Sequence, residues 1–132
     1  MKSLEKTYHY QDTLENVWEA FVNPEEIEKW DAGPVNMSDE EGEEFSLWGG
    51  DIHGKNIEVE KYELLKQEWF GGEWEQPSIV EFTFSENEDG KIEVHLKQTN
   101  IPDESFVEID AGWDDYYLGA ISKYFDSKKI GH

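Results

Sequence analysis

Neither cysteine nor arginine occurs in this chain, and no apolar run approaches the length of a membrane span. Without cysteine there is no disulfide framework, no thiol nucleophile and no thiolate metal ligand. Without arginine there is no guanidinium fork to hold a phosphate or carboxylate through two parallel bonds. All 11 basic residues are lysines, set against 32 acidic ones, for a formal net charge of −21. Non-specific nucleic-acid binding draws most of its free energy from neutralising phosphates, so nucleic acid and anionic membrane surfaces are excluded as partners. A membrane span needs about 20 consecutive apolar residues and a secretory leader needs an apolar h-region. With neither in the string, the expected location is cytoplasmic. The acidity reads first as a device for solubility, with a basic docking partner as the alternative.

Aromatic residues are plentiful: Trp 6, Tyr 6 and Phe 7. They supply bulk for a core and for the wall of a pocket. A chain of 132 residues fits one domain spanning 1–132, which on folding buries about two-thirds of its unfolded-chain surface.

Two helix starts stand in tandem near the N-terminus. In Asp12-Thr13-Leu14-Glu15 an acid able to cap a helix precedes by three residues a Glu able to bond back. Leu14, Val17, Trp18 and Phe21 then recur at helical spacing. Asn23-Pro24-Glu25-Glu26 repeats the signal at once, with a cap, a proline preset for the first turn and acids favoured by the helix dipole. Ile27 and Trp30 give the second helix a short apolar edge, and Gly33-Pro34 stops it.

Alternating apolar residues predict strands over Leu4–Gln11, Glu43–Trp48, Asn56–Tyr62, Leu64–Phe70, Ser78–Ser85 and Lys91–Thr99, with a short one at Val35–Met37. Gly49-Gly50, Gly54-Lys55, Gly71-Gly72 and Asn87-Glu88-Asp89-Gly90 read as turns, so the strands form an antiparallel meander. From Phe106 to Ser127 the period changes: Ile109, Trp113, Tyr116, Tyr117, Ala120, Ile121 and Tyr124 fall at steps of three and four. Lys123, Lys128 and Lys129 stand near the negative end of that helix dipole. Gly112 and Gly119 lie seven apart on one helix face. Each costs about 1 kcal/mol of helix propensity relative to Ala; close approach of another backbone is the expected reason, with a hinge or pocket floor as the alternative. The resulting class is α+β, in the order β-α-α-β(5-6)-α, with a curved sheet wrapped on the long helix.

Several strings, in this order, resemble the helix-grip fold of the START and birch-pollen-allergen-like (SRPBCC) superfamily. Within it the chain is most similar to the activators of the ninety-kilodalton heat-shock-protein ATPase, in their C-terminal domain. The strings are Thr13-Leu14-Glu15-Asn16-Val17-Trp18-Glu19-Ala20-Phe21 and Asn23-Pro24-Glu25-Glu26-Ile27-Glu28-Lys29-Trp30. Gly33-Pro34, Phe45-Ser46-Leu47-Trp48-Gly49-Gly50, Gly54, Glu68-Trp69 and Gly112-Trp113 follow. The resemblance implies an apolar cavity for a lipid-like or aromatic small molecule between sheet and helix. It also implies, as an alternative, a co-chaperone that binds or stimulates the heat-shock ATPase, and, as a second alternative, an uncharacterised enzyme of the superfamily. Only three residues precede the first expected strand, so the separate N-terminal domain of the eukaryotic activators is not expected in this chain.

Non-enzymatic binding of an apolar small molecule is the leading expectation. Large aromatics with few polar atoms suit such a ligand, which selects Trp30, Trp48, Trp69, Trp74 and Trp113 as contacts. Phe82, Phe84, Val94, Leu96, Tyr117 and Ile121 line the same expected face, and for these as for each tryptophan the competing reading is that they simply fill the core. Entry is expected at the helix-pair end, near Trp30 and Trp74. No catalytic residue, cofactor or metal is expected. Neighbouring carboxylates such as Asp114-Asp115 read as solvated surface, and Asp51 with His53 lacks a third metal ligand at a fixed spacing. His9 and His95 fall in the outward phase of their strands. The expected assembly is a monomer or weak dimer.

Overall fold

Thr13 starts the first helix in the computed structural model, which describes residues 2–71 and 74–130, the side chains of 128–130 excepted. Its hydroxyl accepts the Asn16 amide at 3.1 Å, and Asp12, the cap expected from spacing, falls one step outside. The extended backbone that a cap requires is found at Thr13 (φ −80°, ψ 155°), so the hydroxyl and not the carboxylate meets the free amide. Asp12 braces the turn instead, accepting the Thr13 amide and the Asn16 side-chain amide, each at 2.7 Å. Helix α1 runs Leu14–Val22 and α2 runs Pro24–Lys29. Asn23 serves both. Its N–H closes α1 on the Glu19 carbonyl, and its side-chain oxygen accepts the Glu25 amide at 2.9 Å to open α2.

Among the described residues six antiparallel strands form the sheet: β1 Lys2–Tyr10, β2 Glu44–Leu47, β3 Ile52–Glu60, β4 Leu64–Gly71, β5 Ser78–Glu86 and β6 Ile92–Ile101. Their spatial order is β1-β6-β5-β4-β3-β2, so a meander from β2 to β6 is completed by β1 on the far edge. Alternation turns Leu65, Val80, Phe82, Val94 and Leu96 inward, all fully buried. Two expectations are corrected here. Val35–Met37 forms no strand, and only Asn36 bridges to Ser46. Gly54-Lys55 is no turn, because β3 already begins at Ile52 and passes straight through it. Gly54 lies opposite Phe45 on one side and Trp69 on the other. A Cβ there would overlap the Glu68 carbonyl oxygen, so glycine serves close backbone approach and not chain reversal.

The C-terminal helix is helical from Phe106 to Ile130 but not uniform. Helix α3 (Phe106–Gly112) passes into a π-helical turn, Trp113–Tyr117, and then into α4 (Leu118–Ile130). A π turn accommodates an extra residue, and its widened ladder pushes the Asp114 carbonyl to where a Cβ on residue 119 would be. Gly119 therefore does meet a backbone, that of its own helix. Gly112 meets none, the nearest atom to a Cβ there being Tyr116 Cδ2 at 3.9 Å. The helix is tied to the sheet edge by Tyr10, whose hydroxyl donates to the Leu118 carbonyl at 3.0 Å. Lys123 is exposed near its end; the side chains of Lys128 and Lys129 lie outside the described residues.

Candidate functional site

Six rings converge on Tyr117 in the π turn. Trp30 lies 4.7 Å from it between ring centres, Trp113 4.8 Å, Phe82 5.7 Å, Trp69 5.8 Å, Phe21 5.9 Å and Trp48 6.3 Å. The helix pair, the sheet and the long helix all contribute to this cluster, so its assembly requires the whole fold. Trp30 holds its own two helices together, its indole N–H donating to the Ala20 carbonyl at 2.8 Å.

On one side the cluster ends in a half-open hollow of about 190 Å³. Its floor is Trp69, Trp113 and Tyr117, all buried. Its walls are Trp48 and Ile52 from the sheet side and Ile109, Gly112 and Tyr116 from the helix, with Glu108 at the rim. The lining is almost entirely apolar, and Tyr116 is 67% exposed. Beside it lies a second hollow of about 390 Å³, which shares Trp48 and Tyr116. That one is of mixed charge, with Lys29, Asp31, Asp115 and Lys123 among its lining residues.

Buried polar side chains fix the orientation of the floor. Trp69 donates to Gln67 Oε1 at 2.8 Å and Trp113 to Gln98 Oε1 at 2.8 Å. Both glutamines are fully buried and held in turn: Gln67 donates to Asn56 Oδ1 at 2.9 Å and Gln98 to Ser78 Oγ at 2.9 Å. Trp48 donates to the Asp31 carbonyl at 3.0 Å. The Tyr117 hydroxyl is different. It is buried and has no hydrogen-bond partner among the described residues. Burial pushes its phenol well above the ordinary value, so it stays neutral. Trp18 Nε1 is likewise unpaired among the described residues, but it sits in the core with Tyr62 and Phe84 against its ring.

Of the residues expected at a site, Trp48, Trp69, Trp113 and Tyr117 are brought together at the apolar hollow. Trp30 contacts the cluster and lines the second hollow, but at 2% exposure it is a buried strut and not an entrance lip. Phe82, Val94, Leu96 and Ile121 are fully buried and Phe84 nearly so; they fill the core and are not among the hollow's described lining residues. Trp74 folds back on Gly71, where an added Cβ would stand 3.4 Å from its Cζ2, and it does not line the hollow either. Ile52, Glu108, Ile109 and Tyr116 join the lining without having been expected there, and Gly112 lines it in keeping with the alternative role of pocket floor. For Ile52 the misplaced turn at Gly54 hid the strand that carries it. Gln67 and Gln98 did leave a signal, since each stands at an inward position of an alternating strand.

The histidines take surface and stacking roles. His9 meets Glu93 at 3.1 Å, His95 meets Glu5 at 3.1 Å, and His53 stacks on Phe70. Among the described residues no group of three or more His, Cys, Asp or Glu side chains is placed to hold a metal ion. No described helix is long and apolar enough to cross a membrane.

An antiparallel sheet gripping one long helix, with two short helices closing the cluster and a hollow between sheet and helix, defines a helix-grip α+β protein. The model of the family described as activator of Hsp90 ATPase homolog 1-like protein matches residues 12–126, and the chain belongs to that family. It is 29% identical over 132 residues to an activator of 90 kDa heat shock protein ATPase homolog from Dictyostelium discoideum, covering 98% of this chain and 34% of that protein. It is 26% identical to the Hsp90 co-chaperone AHA1 of Saccharomyces cerevisiae, over 92% of this chain and 36% of that one. The chain thus spans about a third of the length of these curated relatives. In fold it is similar to the crystal structure of an HSP90 activator from Plasmodium falciparum, with a TM-score of 0.84, 22% identity, and 98% and 96% of the two chains covered.

Proposed function

We propose that this chain binds the ninety-kilodalton heat-shock ATPase as a co-chaperone-like module. The observation that carries the reading is the family match over residues 12–126, supported by two relatives named for that ATPase which align across nearly the whole chain. With 32 acids and 11 lysines, the chain would dock on a basic face of its partner. Such contacts steer encounter and are screened by salt. The test is calorimetric titration against the heat-shock ATPase of the same organism, with ATP turnover followed in parallel. Binding that raises turnover at low salt and weakens steeply toward molar salt is expected; neither binding nor stimulation at low salt would sink the proposal.

A second reading rests on the hollow itself: binding of an apolar small molecule between sheet and helix. At about 190 Å³ it lies below the roughly 300–1,000 Å³ of drug-sized pockets, so the occupant is one ring in size and not a long acyl chain. Its affinity would come from removing apolar area from water, at about 25 cal/mol per Å². A panel of single-ring aromatics should quench tryptophan emission with little dependence on salt, whereas long-chain lipids should leave it unmoved. A panel in which no ring compound acts discards this reading and leaves the first intact.

A further inference from the structure

We infer that the two hollows beside the C-terminal helix form one groove for a segment of the partner protein. A large apolar side chain of that segment fills the apolar hollow, and an arginine enters the mixed-charge one. The inference rests on the co-chaperone reading and gives that docking a place and a chemistry. Its ground is continuity, since both hollows open beside the helix and share Trp48 and Tyr116 as walls. Tyr116 is 67% exposed, and among the described residues only it and Val107 are large apolar side chains left so open. Exposed aromatics anchor protein interfaces. The apolar hollow, half-open and about 190 Å³, is smaller than a pocket that engulfs a free ligand, but it fits the end of one side chain.

Charge selects the second occupant. Asp31 and Asp115 line the mixed-charge hollow, both exposed, and neither carboxylate has a hydrogen bond or ion pair among the described residues. Of the lysines there, Lys29 is already paired with Glu26 at 3.2 Å, and Lys123 stands about two helical turns beyond Asp115. Trp48 has given its N–H to the Asp31 carbonyl. What Trp48 and Tyr116 offer is ring face, which attracts a cation. Arginine both stacks on a ring and forks onto a carboxylate. This chain has no arginine, and at −21 it repels a second copy of itself, so a basic partner supplies the group. The wall is also fixed in advance. Asp31 (φ 77°) and Trp48 (φ 50°) both hold left-handed backbone, costly for a side chain as bulky as tryptophan. Preorganisation of this kind lowers the cost of docking. The helix residues lining the two hollows are centred about eight positions apart, or about 12 Å at 1.5 Å per residue. An extended segment rises about 3.3 Å per residue, so its apolar residue and its arginine stand about four positions apart; in a helical one they stand about eight apart.

The experiment titrates the heat-shock ATPase of the same organism with the native chain, Gly112→Leu, Asp115→Asn and, as a control on the outer sheet face, Glu81→Gln. Gly112→Leu fills the apolar hollow, since a Cβ at 112 finds its nearest neighbour 3.9 Å away. It should weaken binding about tenfold, the loss of one buried apolar side chain, and keep the native salt dependence. Asp115→Asn should weaken binding about fivefold at low salt and flatten that dependence. Glu81→Gln should match the native chain in both. Asp115 is exposed, so its variant keeps the fold and decides the matter should Gly112→Leu disturb the helix. Because the chain has no cysteine, Lys123→Cys takes a single benzophenone label at the groove. The stretch of the purified ATPase that it captures under light should hold an arginine and a large apolar residue at the spacing above. Native-like binding by Asp115→Asn or by a folded Gly112→Leu, or a captured stretch without arginine, overturns the groove and leaves the co-chaperone reading standing. If the native chain does not bind the ATPase, both fall.

Discussion

Gly54 and Gly119 are held by the same constraint from different sources. A side chain at 54 would enter the Glu68 carbonyl across the sheet, and one at 119 would enter the Asp114 carbonyl of the helix's own π turn. Gly112 has no such neighbour, although spacing alone makes 112 and 119 look equivalent. Their substitutions should therefore differ in sign. Gly54→Ala and Gly119→Ala should each lower stability by about 1–3 kcal/mol, the range for forcing atoms into a packed site. Gly112→Ala should raise it by up to about 1 kcal/mol through helix propensity. Urea unfolding of the three variants measures this, and a stabilised Gly119→Ala would contradict the π-turn geometry. The buried glutamines, not singled out from the string, left a plain signal at this scale. Gln67 and Gln98 occupy inward positions flanked by Leu65 and Trp69 or by Leu96, and a polar residue in that phase must find a partner.

Helix starts were legible to within one residue, because caps are chosen by local chemistry; what a string does not state is whether Asp12 or Thr13 takes the extended backbone. The π turn was not legible at all. Apolar residues recur at steps of three and four on both sides of it, and one extra residue does not break that rhythm. Its placement shows instead in tertiary ties. Tyr8 on β1 donates to Asp114 at 2.6 Å, and Lys6 on β1 reaches both Asp110 and Asp114 at 3.0 Å. The hydrogen bond from Tyr8, then that from Lys6, holds the Asp114 carboxyl below its ordinary value. Because the folded value is the lower one, the native state resists protonation. The tie thus contributes fully above the ordinary carboxylate range and is lost as pH falls through the folded value. Asp114→Asn should be less stable than the native chain at neutral pH, by under about 1 kcal/mol because the side chain is half exposed and screened. Unfolding curves taken down a pH series should show this gap closing in acid, and a gap of constant size would mean that the carboxylate charge plays no part.

At the scale of the molecule, the order of elements was readable because each follows from local signals that agree with one another: tandem caps, alternating strands and one amphipathic helix. The hollow was not, since its lining comes from the Trp48 turn, β3, β4 and the C-terminal helix, and an empty volume is specified by no single residue. Charge is the other whole-molecule property, and it sets two salt dependences of opposite sign. A chain at −21 repels itself in the compact state, so screening favours folding. Screening also weakens docking of an acidic surface on a basic partner. Added sodium chloride should therefore raise the thermal unfolding midpoint of the free chain over the same range in which it would dissociate the proposed complex with the heat-shock ATPase. Measured together, the two curves separate a loss of docking from a loss of fold. A midpoint that stays flat or falls toward molar salt would show that self-repulsion does not limit this protein's stability.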